Sequence, residues 1–380
     1  MTDDQGECFF EGGRLEDLQA CAGRMLDAGA RSLMILASAA DKWQPADLDP
    51  WLQSLPVPVF GGVFPNIIHG VQCHAHGTLV LGFRESVEVV VVRGLSDRHG
   101  LEPQLQELGQ WFAGAVSLIT LVDGLSSNIE SFVDSLYEVL GARAPVVGGG
   151  AGYIDFVQRP SLFCADGMLE DAALLIALET RIDSGIAHGW QKLEGPYLVT
   201  RSHANVLEEL NYCPAFGVYS EIVEAHSGMR FADTDFFAIS KTYPLGIESV
   251  DGDFLVRDPI RRVGDHLVCV GEVPQNATVY LLKGEAQLLI DSAAEAAMQA
   301  LQSRRLRMNG EASSVYRALA FDCISRVLFL DDRFAAELSA INSALPGVRS
   351  VVGALTLGEI ANSRCGAIEL MNKSTVVSVY

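Results

Sequence analysis

One arrangement of apolar and turn residues occurs three times along the chain, and this self-similarity restricts the fold more than any other feature. The first copy has an amphipathic helix pattern at 15–29, an apolar strand at 32–39, a second helix at 47–55 and a short strand ending in glycine at 56–62. The second copy repeats that order at 101–114, 116–124, 128–141 and 144–152, and the third at 285–305, 317–326, 331–345 and 347–360. A segment with the alternation of a β-hairpin follows each glycine turn, at 76–94, 161–179 and 365–380. The pattern predicts an α/β protein: mixed-sheet layers with covering helices, built from repeated α-β-α-β-hairpin units. Residues 183–280 lack the repeat; they carry strand patterns at 197–202, 216–223 and 266–273 and a short helix pattern at 206–211. Two regions are therefore expected, 1–180 with two units, and 181–380 with the unrepeated part and the third unit.

A chain of 380 residues, 49% hydrophobic and 20% charged, has ample material for a packed core. Its formal net charge of −21 repels phosphate backbones and anionic lipids, which argues against nucleic acid and membrane surfaces as partners. The eight cysteines are scattered singly without a CxxC pair, and they read as reduced thiols. An acidic N-terminus and the lack of any run of about 18 apolar residues point to the cytoplasm.

Strands that stop at glycine runs, at Gly61 and Gly62 and again at Gly148, Gly149 and Gly150, can leave backbone amides open to a ligand. The alternative is a tight turn with no ligand. No Walker A or dinucleotide fingerprint is present.

Several stretches follow in a fixed order: PVFGG (58–62), PVVGGGAG (145–152), a segment with Phe163, Asp166, Gly167, Ala172 and Leu178, then GWQKLEGPYLVT (189–200), ELNYCPAFGVY (209–219), PLG (244–246), FDCISR (321–326), LGEI (357–360) and MNKSTVV (371–377). Together they resemble the FIST family (F-box and intracellular signal transduction), with N- and C-terminal FIST regions covering almost the whole chain. Cys323, Arg326, Gly358, Glu359, Asn372 and Thr375 stand where that family's C-terminal pattern has its own residues. One departure is the first glycine turn, GGVFPNIIHG (61–70), which lacks the acidic residue seen in many members. The resemblance implies a non-catalytic sensor of a small molecule, such as an amino acid, that acts on a histidine kinase or a cyclic-di-GMP enzyme; a homodimer is compatible with it. A subset of the family binds haem and senses nitric oxide, and this is the reading preferred from the resemblance, with haem b as cofactor.

For haem iron the candidate axial ligand is His188, beside Gly189 and Trp190, with a thiolate at Cys213 in a Cys-Pro dipeptide as the alternative. The alternative is that His188 is a partly buried strand residue satisfied by a backbone carbonyl. For a carboxylate ligand, Arg326 is the candidate guanidinium, near Cys323 and Glu359; the alternative is an Arg326–Glu359 ion pair bracing two loops. Cys73, His74 and His76 lie close enough in sequence to suggest a metal, His74 and His76 sharing one strand face, but no second ligand cluster accompanies them. An activated Cys323 thiolate with His188 as base would make an enzyme, although no hydrolase signature surrounds either residue.

Overall fold

Each of the three units builds a six-stranded sheet, but none builds it alone. The computed structural model describes residues 6–112, 114–249, 252–309 and 317–380. In the first sheet Ser32–Ser38 and Val59–Phe64 pair in parallel, and Thr78–Phe83 returns antiparallel to the former. Ser117–Asp123, Val146–Ala151 and Ala172–Leu178 repeat this arrangement in the second sheet, and Ala318–Cys323, Val351–Thr356 and Thr375–Val379 in the third.

What completes each sheet is a small hairpin from another unit. Leu162–Cys164 and Gly167–Leu169 of the second unit join the first sheet beside Val59–Phe64. Glu359–Asn362 and Ile368–Met371 of the third unit join the second sheet beside Val146–Ala151. Ile67–His69 and Gln72–His74 of the first unit close the cycle beside Val351–Thr356. The three units are thus linked head to tail in a ring.

The strands read as unbroken apolar runs because both faces are buried. Met34 and Leu36, Ile119 and Leu121, and Leu319 and Phe321 point into one central core shared by the three sheets. Their neighbours point outward to each unit's own helices: Leu33 and Ile35 to Leu15–Asp27 and Pro45–Leu52, Leu118 and Val122 to Ile129–Leu140, Ala318 and Ala320 to Ala286–Arg307 and Phe334–Ala344. The unrepeated region forms a seven-stranded sheet with a separate core around Tyr219, Leu245 and Leu267, covered by the helix Ala215–Ser227.

Five expectations are corrected. The segments 76–94 and 365–380 are not self-paired hairpins, since each sends its strands to two different sheets, and 161–179 pairs with itself only in the small hairpin Leu162–Cys164 and Gly167–Leu169, while Ala172–Leu178 joins another sheet. The helix pattern at 206–211 is the strand Val206–Leu210, and the strand pattern at 216–223 lies in the helix Ala215–Ser227. There Ala215, Tyr219 and Val223 are buried at a spacing of four, a helical stripe masked by β-branched and aromatic content. The strand Gln72–His74 ends before His76, whose ring meets Asp41 instead of sharing a face with His74. Finally, Cys8 and Cys21 form a disulfide, because the helix Leu15–Asp27 folds back over the strand Glu7–Phe10. A thiol titration of the unfolded, unreduced chain should therefore count six thiols, rising to all eight after reduction. A count of eight without reduction would remove the disulfide. Among the described residues no helix is long and apolar enough to cross a membrane.

Candidate functional site

Glycines 61, 62, 149 and 150 lie inside buried strands and line neither of the two larger cavities. Their lack of a side chain serves close packing. A Cβ on Gly62 would stand 2.6 Å from the Ser161 carbonyl oxygen, and one on Gly150 would stand 2.5 Å from that of Leu357. Gly149 packs against Thr356 and the Gly358 carbonyl. The glycine runs therefore seat the hairpins that link the units.

Arg326 is fully buried, and its guanidinium is saturated. Nε and Nη2 donate to the two carboxylate oxygens of Glu337, at 2.9 and 2.6 Å. Nη1 donates to the carbonyls of His188 and Lys373, at 2.7 and 3.3 Å, and Nη2 also to that of Leu289, at 2.8 Å. With five donors in all, this leaves none for a ligand carboxylate. The bidentate partner is Glu337 on the helix Phe334–Ala344, not Glu359. A second buried pair lies nearby: Lys373 Nζ stands 3.1 Å from Asp258, which also accepts from Ser325 Oγ. Breaking one partner out of such a pair typically costs about 3–5 kcal/mol, so the first pair locks two helices of the third unit together and the second braces that unit against the unrepeated sheet.

Glu359 is buried beside this network, accepting from Thr356 Oγ1 at 2.7 Å and from the Ser374 amide at 3.3 Å. Loss of hydration lifts its pKa from 4.5 to about 8, against the opposing hydrogen bonds. The folded protein therefore keeps a proton that the unfolded chain has already lost, and stability falls as pH rises from about 4.5 to about 8. Glu359→Gln should flatten this slope, by on the order of 3 kcal/mol between about pH 5 and about pH 8. Urea unfolding midpoints measured across that range check it, and parallel slopes for the two proteins would refute it. Burial, then the charge of Glu359, push the Cys323 thiol well up, which is the reverse of an activated nucleophile.

His188 also lies in this neighbourhood, with both ring nitrogens engaged. The Trp190 amide donates to Nδ1 at 3.0 Å, so Nε2 carries the proton and donates to Asp253 at 3.0 Å. The Trp190 indole is buried, donating to the Lys373 carbonyl and packed edge-on against Phe329. His188 borders a cavity of about 440 Å³ whose walls include Ser184, Gln299, Gln302, Asn362 and Arg364. These residues do not fit a haem: iron would have to displace a hydrogen bond from either imidazole nitrogen, in a pocket that mixes polar with apolar walls where a macrocycle needs apolar faces. Cys213 is exposed on the short strand Cys213–Pro214 and lines neither cavity. No His/Cys/Asp/Glu group capable of holding a metal ion occurs among the described residues.

The larger cavity, about 600 Å³, was not foreseen from sequence, although three residues of the C-terminal pattern, Cys323, Gly358 and Asn372, stand at its wall. It opens at the seam of three parts of the chain. The second unit contributes the loop Gly124–Glu130 with Ile154 and Phe156; the unrepeated sheet contributes Asn205, Ile260 and Cys269–Glu272; the third unit contributes Cys323–Ser325, Leu357, Gly358, Leu370 and Asn372. Leu370 and Asn372 face this cavity, while Glu369 and Met371 face the smaller one, so alternate residues of one stretch separate the two. The walls are mostly apolar, with a few polar groups.

The family models agree with this architecture: that of the FIST N domain matches residues 32–212, and that of the FIST C domain matches residues 215–362. No curated protein sequence matches the chain. The larger cavity is thus built jointly by segments from both matched regions, and the chain belongs to the FIST family of signal-transduction sensor proteins.

Proposed function

We propose that this protein senses a small molecule bound in the 600 Å³ cavity and relays its presence to a signalling enzyme. The observation that carries the reading is that the cavity's walls come from both FIST regions and from the unrepeated sheet. A ligand there would touch the second unit, the third unit and the sheet between them, and its differential affinity for two arrangements of these parts is what a switch requires. The volume lies within the range of small-molecule sites. A histidine kinase or a cyclic-di-GMP enzyme as the receiving partner is supported by the family resemblance.

Thermal melts of the full chain against a metabolite library test this. Ligands that raise the melting temperature by mass action should lose their effect in Leu125→Trp, which fills the cavity from a partly buried wall. Hits that survive in the variant would place sensing elsewhere. A Soret band on haem addition that His188→Ala removes would move the site to the smaller cavity.

A further inference from the structure

The lining of the larger cavity has a charge character that selects among ligands. It includes no lysine, arginine or histidine; its carboxylates are Glu130 and Glu272. Glu130 sits in the first turn of Ile129–Leu140, and its Oε1 accepts from the Glu272 amide at 2.8 Å, which fixes the carboxylate at the wall. Two cations stand behind the lining: Lys241, whose Nζ donates to the Leu328 carbonyl, and the buried Arg257, whose charge acts on both glutamates. Arg257 Nε donates to the Glu272 carbonyl, and its Nη1 to those of Val256 and Leu370. The two other ionisable groups in the lining, the thiols of Cys269 and Cys323, are held neutral by burial. Leu125, Ile129, Phe156, Phe237, Ile260 and Leu357 supply apolar surface, while Asn128, Asn205 and Asn372 supply amides.

We infer that the cavity takes an apolar molecule bearing a cationic amine, which Glu130 and Glu272 hold, and that it turns carboxylates away. This rests on the larger cavity being the sensing site. An anion would meet two carboxylates locally, set against the single buried guanidinium of Arg257, and a net charge of −21 overall. An ammonium gains charge-assisted hydrogen bonds, and its hydrocarbon body gains burial.

Octylamine, octanol and octanoate form a matched set of probes, and titration calorimetry on the full chain reads their affinities. The amine should bind about tenfold tighter than the alcohol, and the carboxylate weakest. Glu130→Gln and Glu272→Gln should each bring the amine towards the alcohol, every variant first being checked by its own ligand-free melt. Leu125→Trp should abolish binding of all three. Octanoate equal to or tighter than octylamine, or an amine preference that survives both glutamine variants, would overturn the inference. If octanol binds and Leu125→Trp blocks it while octylamine is no better, the charge selection fails and the cavity stands. If no probe binds, or Leu125→Trp changes nothing, the cavity assignment fails and the inference with it.

Discussion

A chain divided between residues 180 and 181 should give two halves that do not fold separately but recover a soluble, cooperative fold when expressed together. Residues 1–180 would lack the hairpin Glu359–Met371, leaving Val146–Ala151 as an edge. Residues 181–380 would lack Ile67–His74, leaving Val351–Thr356 as another. Both edge strands are buried along their whole length in the intact protein, and a long apolar edge invites aggregation. The central core is divided as well, since Met34 and Ile119 lie on one side of the cut and Phe321 and Val352 on the other. Size-exclusion chromatography and circular dichroism of each half, alone and co-expressed, measure the outcome. A monomeric, cooperatively melting 1–180 would show that the ring need not close for folding.

The ring itself was only half legible. The threefold repeat, the helices and the two parallel strands of each unit follow from apolar periodicity, because each strand must be buried on both faces and each helix on one. The exchange of hairpins does not follow, because a strand's pattern states that it is half or fully buried and not which neighbour it pairs with. At 76–94 the alternation is that of two strands; the structure sends Thr78–Phe83 to the first sheet and Glu88–Arg93 to the second. The disulfide was hidden for a related reason. Cys8 and Cys21 show no motif spacing and meet only because a helix turns back on the first strand.

At the site, sequence marked Arg326, Glu359, Cys323, His188 and Trp190, and the structure does gather them around the loop Asn372–Thr375. Their roles were less legible than their identities. Arg326 has one ionic partner inside its own motif, Asp322 at 3.3 Å, but its bidentate partner comes from another helix. Glu337 offered one available signal: it interrupts the buried stripe Phe334, Leu338 and Ile341 of its helix, and a carboxylate in an apolar stripe requires a buried cation. The larger cavity had no signature, since its walls come from loops more than 200 residues apart in sequence, each unremarkable alone.

The glycines offer the sharpest contrast between a ligand rim and a packing device. Gly61, Gly148 and Gly353 occupy equivalent places in the three units, each opposite a large apolar residue of the incoming hairpin: Phe163, Ile360 and Ile68 respectively. Each of those residues reaches the helix layer of the unit it joins. On the other side the parallel strand runs so close that a Cβ would fall 1.9 Å from the Ile35 carbonyl oxygen at Gly61, 1.7 Å from that of Thr120 at Gly148 and 1.8 Å from that of Ala320 at Gly353. Those are backbone atoms in the middle of a sheet, which cannot move aside as a flexible side chain could. Gly148→Ala should therefore cost more than about 3 kcal/mol and also loosen the linkage between the second and third units. Gly23→Ala, in a helix with no atom within 4 Å of the new methyl group, should instead stabilise by roughly 0.5–1 kcal/mol. Urea unfolding of the two variants beside the unsubstituted chain decides the matter. A Gly148→Ala protein of normal stability would return the glycine runs to consideration as ligand contacts, because their only shown use, the close approach of strands that lets one unit anchor in the next, would then be dispensable.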